Sequence, residues 1–247
     1  MQELSIKTKD LTFRTKEAYR ILRSNIEFSG DNIQTVAFTS CTPNEGKSSI
    51  SFELARAFAQ NGNRVLMIDA DLRKSVMRTQ FADGKAEYGL TNYLVGKCTA
   101  QEATCKTNEE GFYIMLSGPT TPSPSELLNS ERFTTLLKES KQNYDYIIVD
   151  TPPLGSVIDS AIVGKYCDGT IVVLSSGTIS YRFAQNVVGQ LQLADCRILG
   201  CVLNKVDMGN GKGGYYGKYY GRYYGRYYGR YYGKYYGKYY GNYGEET

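Results

Sequence analysis

The chain has 247 residues, 41% of them hydrophobic, which is enough for one sizeable α/β domain or two small ones. Its longest unbroken apolar run is five residues, Phe112–Leu116, whereas a transmembrane helix needs roughly 20. We therefore expect no membrane span and, because residues 1–20 contain no apolar leader, a cytoplasmic protein. The absence of histidine excludes Ser-His-Asp and Cys-His catalysis, and six cysteines without a CxxC pair argue against a zinc site.

The net charge of +4 is unevenly distributed along the chain. Residues 208–247 contain seven Lys/Arg and two Glu, a net +5, whereas residues 1–207 contain 22 basic and 23 acidic residues, a net −1. The basic character therefore belongs to the C-terminal segment. We predict a folded domain over residues 1–207 and a separate, flexible tail over residues 208–247.

Hydrophobic periodicity predicts strands and helices that alternate along the first 207 residues. In chain order these are a helix at about 15–28, a strand at 35–40, a helix at 47–62, strands at 64–71 and 112–116, a helix at 125–140, strands at 144–150 and 169–176, a helix at 182–194 and a strand at 197–204. Strands that are apolar throughout and alternate with helices indicate an α/β fold, with a parallel sheet covered by helices on both faces. Such sheets bind ligands at the carboxyl ends of their strands.

A phosphate-binding loop is predicted where the strand at 35–40 runs into "CTPNEGKSS", residues 41–49, before the next helix. Lys47 would neutralise the β- and γ-phosphates of a nucleotide, and the Ser48 hydroxyl would bind Mg²⁺. The first glycine of the GxxxxGK[ST] pattern is replaced by Cys41, and Asn44 is a residue type that tolerates a positive φ. Our predicted nucleotide-binding residues in this loop are Thr42, Pro43, Asn44, Glu45, Gly46, Lys47, Ser48 and Ser49.

Carboxylates end two further predicted strands: "VLMIDAD" ends in Asp69 and Asp71, and "YIIVD" ends in Asp150. Hard cations such as Mg²⁺ prefer oxygen ligands. A single acidic residue at a strand end often belongs only to a turn. Three strand ends that carry Lys-Ser, Asp-x-Asp and Asp-Thr-Pro-Pro together favour one active site.

The tetrapeptide "NKVD", residues 204–207, matches the guanine-reading NKxD pattern and follows the last predicted strand. A four-residue match is weak evidence for GTP. Asn204 could contact either adenine or guanine, and we include it among the nucleotide-binding residues.

Five stretches of the sequence together resemble one family. "SCTPNEGKSS" resembles a Walker A loop, "VLMIDADLRK" a second acidic motif called Walker A′, and "IIVDTPP" a Walker B motif. "GPTTPSPSELLNSERF" and "EAYRILRSN" resemble two further family stretches, the second with a Glu-x-x-Arg-x-x-Arg pattern. Nearly all of residues 1–207 is thus similar to the catalytic domain of bacterial tyrosine kinases of the CpsD/CapB type, which adapt a MinD-like P-loop ATPase to phosphorylate tyrosine.

This resemblance implies an ATP-dependent and Mg²⁺-dependent protein-tyrosine kinase. Phosphoryl transfer asks mainly for positioning and charge neutralisation, so it needs no histidine. Lys47 would act on the phosphates, Asp71 would accept or orient the phenolic proton, and Ser48, Asp69 and Asp150 would hold Mg²⁺. The sequence leaves open whether Asp69 and Asp71 exchange these roles.

In the family, a tyrosine-rich tail is the autophosphorylation site. Here the tail holds 15 of the 23 tyrosines, in a Tyr-Tyr-Gly-Lys/Arg array whose glycines disfavour a stable helix. A basic aromatic array could also bind nucleic acid by stacking or an anionic membrane by charge. With a nucleotide site present we predict phosphorylation instead and expect no nucleic-acid partner. The predicted acceptors are Tyr215, Tyr216, Tyr219, Tyr220, Tyr223, Tyr224, Tyr227, Tyr228, Tyr231, Tyr232, Tyr235, Tyr236, Tyr239, Tyr240 and Tyr243.

The resemblance also implies partners. Glu17, Arg20 and Arg23 match the element that in relatives mediates ring-shaped homo-oligomers such as octamers, which would allow phosphorylation in trans. A membrane-spanning activator of polysaccharide export, which would hold the kinase at the membrane periphery, and a phosphotyrosine phosphatase are the other implied partners. The implied role is control of capsular or extracellular polysaccharide synthesis.

The sequence is also consistent with two other hypotheses of function. A partitioning-type ATPase could use its basic aromatic tail only to attach to membrane or nucleic acid. A structural adhesion module on an inactive domain would bind no nucleotide.

Overall fold

The computed structural model describes residues 2–7 and 10–207. The strands are β1 Glu3–Ile6, β2 Thr35–Ser40, β3 Val65–Asp69, β4 Phe81–Asp83, β5 Cys105–Thr107, β6 Phe112–Met115, β7 Tyr146–Asp150, β8 Gly169–Ser175 and β9 Ile198–Asn204. The helices are α1 Phe13–Glu27, α2 Lys47–Ala59, α3 Leu90–Leu94, α4 Ala100–Ala103, α5 Pro124–Leu128, α6 Glu131–Ser140, α7 Asp159–Lys165 and α8 Tyr181–Leu193, with a 3-10 turn at Met77–Gln80. None of the helices in this described part is long and apolar enough to cross a membrane.

The chain divides into a compact unit of residues 1–205 and a second unit of residues 206–247. All of the elements above belong to the first unit. The second lies outside the described residues apart from Val206 and Asp207.

The strands form one nine-stranded sheet in the order β4-β1-β5-β6-β3-β7-β2-β8-β9. From β6 to β9 every neighbouring pair is parallel, as predicted from the apolar strands. The remaining edge was not predicted: β5 runs antiparallel to β6, and β4 runs antiparallel to β1. These edge strands have only three or four residues, too few for a periodic pattern to be read from sequence.

Alternate residues of the central strands face two different hydrophobic layers. Val36 and Phe38 of β2 pack in one cluster with Phe58 of α2, while Ala37 packs in a second cluster with Phe133 of α6. Helices thus cover both faces of the sheet, as is typical of parallel sheets whose strands are mainly apolar. The predicted doubly covered α/β fold is confirmed.

Helix boundaries differ from the predictions where side chains cap the backbone. The Thr12 side chain accepts a hydrogen bond from the Thr15 N–H at 3.2 Å, so α1 begins at Phe13 rather than at 15. The predicted single helix at 125–140 is wrong: it is two helices, α5 and α6. Ser130 separates them, since its hydroxyl accepts from the Phe133 N–H and starts a new helix.

The parallel strands of the central sheet all have their carboxyl ends at the same end of the sheet. Ser40 ends β2, Asp69 ends β3, Asp150 ends β7, Ser175 ends β8 and Asn204 ends β9. The sheet thereby brings together segments that are far apart in sequence. The chemically active residues predicted above lie at this end of the sheet.

Candidate active site

The loop at residues 41–49 adopts the conformation that a phosphate loop requires. Gly46 has a φ of 89° and Asn44 a φ of 66°, so two residues of the loop are left-handed. A Cβ at Gly46 would lie 2.2 Å from Asn204 Nδ2, and only glycine fits there. Helix α2 starts directly after Gly46 without a side-chain cap, so its first N–H groups point at the loop. Such a helix start favours a bound anion.

Glu45 fastens the loop to the neighbouring strand. One carboxylate oxygen accepts from the backbone N–H and the hydroxyl of Thr42, and the other accepts from the Ser175 N–H at 2.8 Å. The side chain is buried, and its three donors are all neutral groups. Glu45 was predicted as a nucleotide contact, and its carboxylate holds the loop together from within.

The end of β9 holds the same loop from the other side. Asn204 Nδ2 donates to the carbonyl of Glu45 at 2.8 Å, and Lys205 Nζ donates to the carbonyl of Asn44 at 2.6 Å. Asn204 thus lies beside the loop. Its contact with a nucleotide base, adenine or guanine, stays a prediction.

Lys47 reaches across to the strand end that carries Asp150. Its Nζ lies 2.8 Å from Asp150 Oδ1 and 3.1 Å from Ser48 Oγ, and both charged side chains are buried. Ser51 Oγ donates to the same Asp150 oxygen at 3.0 Å. The structure therefore gathers three predicted residues, Lys47, Ser48 and Asp150, in one cluster.

Asp69 lies beside this cluster, directly opposite Asp150 in the register of β3 and β7. Burial first, and then the charge of Asp150, raise the pKa of Asp69 to about 7, although a hydrogen bond from Ser75 and the charge of Lys47 act in the opposite direction. Lys47 contacts Asp150 directly and acts on Asp69 through its charge. A cation bound here would favour the ionised form of Asp69.

Asp71 lies two residues further on and is almost buried. Its Oδ1 accepts from the backbone N–H groups of Arg73 at 3.3 Å and Lys74 at 2.9 Å, which fixes the turn that follows β3. The carboxylate is therefore held in one place close to Asp69. The role of Asp71 as the proton acceptor stays a prediction.

An ion pair next to Asp71 was missed by the sequence analysis. Arg73 donates from Nε to Asp159 Oδ2 at 2.7 Å and from Nη2 to Asp159 Oδ1 at 3.1 Å, and Ser125 bridges both partners. Arg73 and Ser125 lie in stretches that were quoted for the resemblance. Asp159 lies in no motif, and no local pattern of the sequence indicates it.

The other predicted residues lie in three places. Thr42, Pro43 and Ser49 belong to the loop, the last two on its exposed side. Glu17, Arg20 and Arg23 lie on α1, where Arg23 donates to the Ala57 carbonyl near the C-terminal end of α2. The predicted acceptor tyrosines, Tyr215 to Tyr243, lie outside the described residues.

The side-chain oxygen atoms near the phosphate loop fit Mg²⁺. Within residues 2–7 and 10–207 no cluster of three or more His, Cys, Asp or Glu side chains could hold a metal ion alone. Asp69 and Asp150 provide two carboxylates and Ser48 a hydroxyl, all of them hard oxygen donors. Magnesium is usually bound by one or two carboxylates together with phosphate oxygens and water, which matches this set.

Comparisons with known proteins agree with this geometry. Residues 33–195 match a family model described as an AAA domain. The chain is 39% identical over 218 residues to the tyrosine-protein kinase CpsD of Streptococcus pneumoniae, covering 87% of this chain and 96% of the relative.

Solved structures give the same picture. The kinase domain of the Escherichia coli tyrosine kinase ETK is similar with a TM-score of 0.76 and 30% identity, over 85% of this chain and 91% of that one. The septum site-determining protein MinD complexed with Mg-ADP from Pyrococcus horikoshii has a TM-score of 0.61 and 22% identity, over 72% of each chain, which is a likeness of fold alone.

Proposed function

The chain belongs to the family of bacterial tyrosine-protein kinases, and we propose that it transfers the γ-phosphoryl group of ATP to tyrosines of its own C-terminal segment, in trans between copies. The resemblance inferred from the sequence motifs is confirmed by these relatives, and the fold is that of a MinD-like P-loop ATPase. The protein is a tyrosine kinase. Its acceptor sites, the roles of its residues and its partners form the proposal.

One observation carries the assignment of roles: the Lys47–Asp150 ion pair, which joins the phosphate loop to a second strand end. Lys47 and the first N–H groups of α2 bind the β- and γ-phosphates. Ser48, Asp69 and Asp150 hold Mg²⁺, which when bound neutralises phosphate charge. Asp71 accepts the proton that the tyrosine phenol loses, since that phenol has an ordinary pKa of about 10.

The acceptors that we propose are the 15 tyrosines between residues 215 and 243. Each pair is followed by glycine and then mostly by lysine or arginine, so the segment offers many equivalent targets. The segment is basic, and the strand ends are rich in carboxylates. Opposite charge would therefore draw the acceptor segment towards the active site.

We further propose a homo-oligomer that presents the tail of one copy to the site of another. Glu17 and Arg20 lie on the exposed face of α1, with 43% and 64% of their side chains accessible. Two large apolar side chains, Phe13 and Phe28, are exposed at the two ends of the same helix. A helix that exposes both charged and aromatic side chains is suited to contact another copy.

The biological setting belongs to the proposal as well. A membrane-spanning activator would hold the kinase at the inner face of the membrane, and a phosphatase would reverse the modification. Control of capsular or extracellular polysaccharide synthesis is the role that this setting implies.

Mass spectrometry of tail peptides is the direct test. The full chain incubated with ATP and Mg²⁺ is expected to gain phosphotyrosine between residues 215 and 243. A chain with these tyrosines changed to phenylalanine is the matched control and is expected to gain none there. ATP hydrolysis without phosphotyrosine, even with an activator fragment present, would instead indicate a partitioning-type ATPase, and undetectable nucleotide binding would indicate an inactive domain.

A further inference from the structure

The guanidinium group of Arg73 is fixed along one edge. Its Nε and Nη2 atoms lie 2.7 Å and 3.1 Å from the two oxygens of Asp159, and Nη2 also lies 3.1 Å from Ser125 Oγ. Ser125 in turn donates to Asp159 Oδ1 at 2.6 Å. A bidentate pair of this kind fixes the plane of the guanidinium group as well as its position.

The opposite edge of the same group is open. Asp159 is fully buried, whereas 39% of the Arg73 side chain is accessible. The Nη1 atom has no hydrogen-bond partner among the residues that the structure describes, 2–7 and 10–207. A guanidinium group that is held by a buried carboxylate and keeps a further donor available is suited to an oxyanion.

Strand order gives the position of this edge relative to the reaction. The phosphate loop follows β2, Asp150 ends the adjacent β7, and Asp69 ends β3, the next strand. Lys47 points from the loop towards β7, so the terminal phosphates lie on that side. Arg73 follows β3, and its backbone N–H donates to Asp71 Oδ1 at 3.3 Å, so it lies next to the carboxylate that we propose as the acceptor of the phenolic proton.

We propose that Arg73 is a phosphate receptor on the acceptor side, and that its Nη1 group binds the phosphoryl group as it arrives on the tyrosine oxygen. Asp159 and Ser125 act as positioning residues that hold the guanidinium group. This inference rests on the proposed kinase function. In the step, the bond between the γ-phosphorus and the β–γ bridging oxygen breaks, a bond from the tyrosine oxygen to that phosphorus forms, the phenolic proton passes to a carboxylate, and ADP leaves with the bridging oxygen.

Peptide binding tests the receptor without requiring catalysis. Two versions of the peptide Gly217–Arg222, one phosphorylated on Tyr219 and one unmodified, are titrated into the unphosphorylated full chain with Mg²⁺ and ADP. The chain's own tail competes equally with both peptides, so the ratio of their affinities is informative. We expect the phosphopeptide to bind at least about tenfold more tightly, as suits a charge-assisted contact.

Three variants separate a receptor from a merely structural arginine. Arg73→Met and Arg73→Lys are both expected to lose the preference, because lysine can pair with Asp159 but cannot present a second, fixed donor edge. A structural ion pair alone would instead be rescued by lysine. Arg78→Met, which removes an exposed arginine five residues away, is the matched control and is expected to keep the preference. Thermal unfolding identifies any variant that fails to fold, and Ser125→Ala, expected to weaken the preference, then replaces it.

Phosphoryl transfer is measured in parallel. Arg73→Lys is expected to lower kcat about 100-fold while the affinity for ATP stays unchanged, as for loss of one donor to a developing charge. A wild-type chain that prefers the phosphopeptide but transfers no phosphate would refute the kinase proposal and leave the receptor standing. Absence of the preference in the wild-type chain, or its persistence in Arg73→Lys, would overturn the inference.

Discussion

Lys47 Nζ lies 2.8 Å from Asp150 Oδ1, although the two residues are 103 positions apart in the chain. Both side chains are buried, and Asp69 adds a second carboxylate on the next strand. Lys47 therefore has two functions: it would bind phosphate, and it compensates the buried charge of Asp150. A substitution at Lys47 affects stability and activity together, and the two effects need to be separated.

Lys47→Met is expected to abolish phosphoryl transfer and also to lower the free energy of unfolding by roughly 3–5 kcal/mol, because it leaves Asp150 unpaired in a buried site. The double variant Lys47→Met/Asp150→Asn is expected to regain most of the stability and none of the activity. Urea unfolding and phosphotyrosine quantification measure the two effects. A fully stable single variant would show that the ion pair does not stabilise the fold, and an active double variant would show that neither residue is required.

Glu45→Gln is expected to weaken ATP binding about tenfold or more. The new amide would turn a donor towards the N–H of either Thr42 or Ser175, and a mispaired buried polar group costs about 1–3 kcal/mol. Calorimetry with ATP measures the affinity. Glu110→Gln, at an exposed position, is the control and should leave the affinity unchanged. Equal affinities in the two variants would mean that the loop does not depend on Glu45.

Elements with long apolar runs could be predicted from the sequence, and those defined by distant contacts could not. Strand β3, Val65–Asp69, lies inside the predicted strand at 64–71, because a strand buried on both faces is apolar at nearly every position. Helices α3 and α4 have five and four residues, too few for helical periodicity to be recognised in the sequence, and were missed. Strand β1 is defined by its pairing with β4 and β5, both of which lie much later in the chain.

The candidate active site also combines features that are local in sequence with contacts between distant residues. The phosphate loop and the acidic strand ends are local patterns, and the parallel sheet explains why they meet at one end of the sheet. Asp159 pairs with Arg73 across 86 positions, and Glu45 reaches Ser175 across 130, so no window of sequence contains either contact. The sequence therefore named Glu45 without its role in holding the loop, and it missed Asp159 altogether.

We predict that the Asp168 carboxylate stabilises the folded state in a pH-dependent way. Burial alone would raise the pKa of its carboxyl group, but hydrogen bonds from Lys141 Nζ and from the N–H groups of Thr35 and Gln34 outweigh burial and lower that pKa below its ordinary value. The folded state therefore favours the ionised form. The resulting stability is present above the unfolded pKa of about 3.9 and is lost as the pH falls through the lower folded value.

Asp168→Asn is accordingly expected to destabilise the protein by about 1–3 kcal/mol at pH 7, and the difference from wild type should shrink below about pH 4. Urea unfolding at pH 7, 5 and 3 measures this difference. Asp31→Asn, at an exposed position, controls for the loss of a charge. A difference that stays constant across this range would show that the ionised carboxylate is not what stabilises the fold.

Arg20 and Arg23 are expected to differ when the proposed oligomer is tested. Arg20 is 64% accessible and lies 3.4 Å from Glu17, whereas Arg23 is 18% accessible and donates to the Ala57 carbonyl of α2 at 3.2 Å. Arg23→Ala would therefore weaken the packing of α1 on α2 as well as any contact with another copy. A surface ion pair such as that of Arg20 contributes about 0–1 kcal/mol to folding, so its removal should leave the domain intact.

Arg20→Ala is expected to convert the oligomer into smaller species with an unchanged unfolding curve, and to slow phosphorylation of a catalytically inactive Lys47→Met/Asp150→Asn chain supplied as substrate. ATP affinity should stay unchanged, because the recorded side-chain partner of Arg20 is Glu17 of the same helix and not a residue of the phosphate loop. Arg14→Ala removes an exposed arginine from the same helix and is the matched control. Sedimentation velocity measures the assembly. If Arg20→Ala sediments like wild type while Arg23→Ala alone dissociates, the interface uses the packing of α1 on α2 rather than the exposed charge, and the proposed role of Arg20 is wrong.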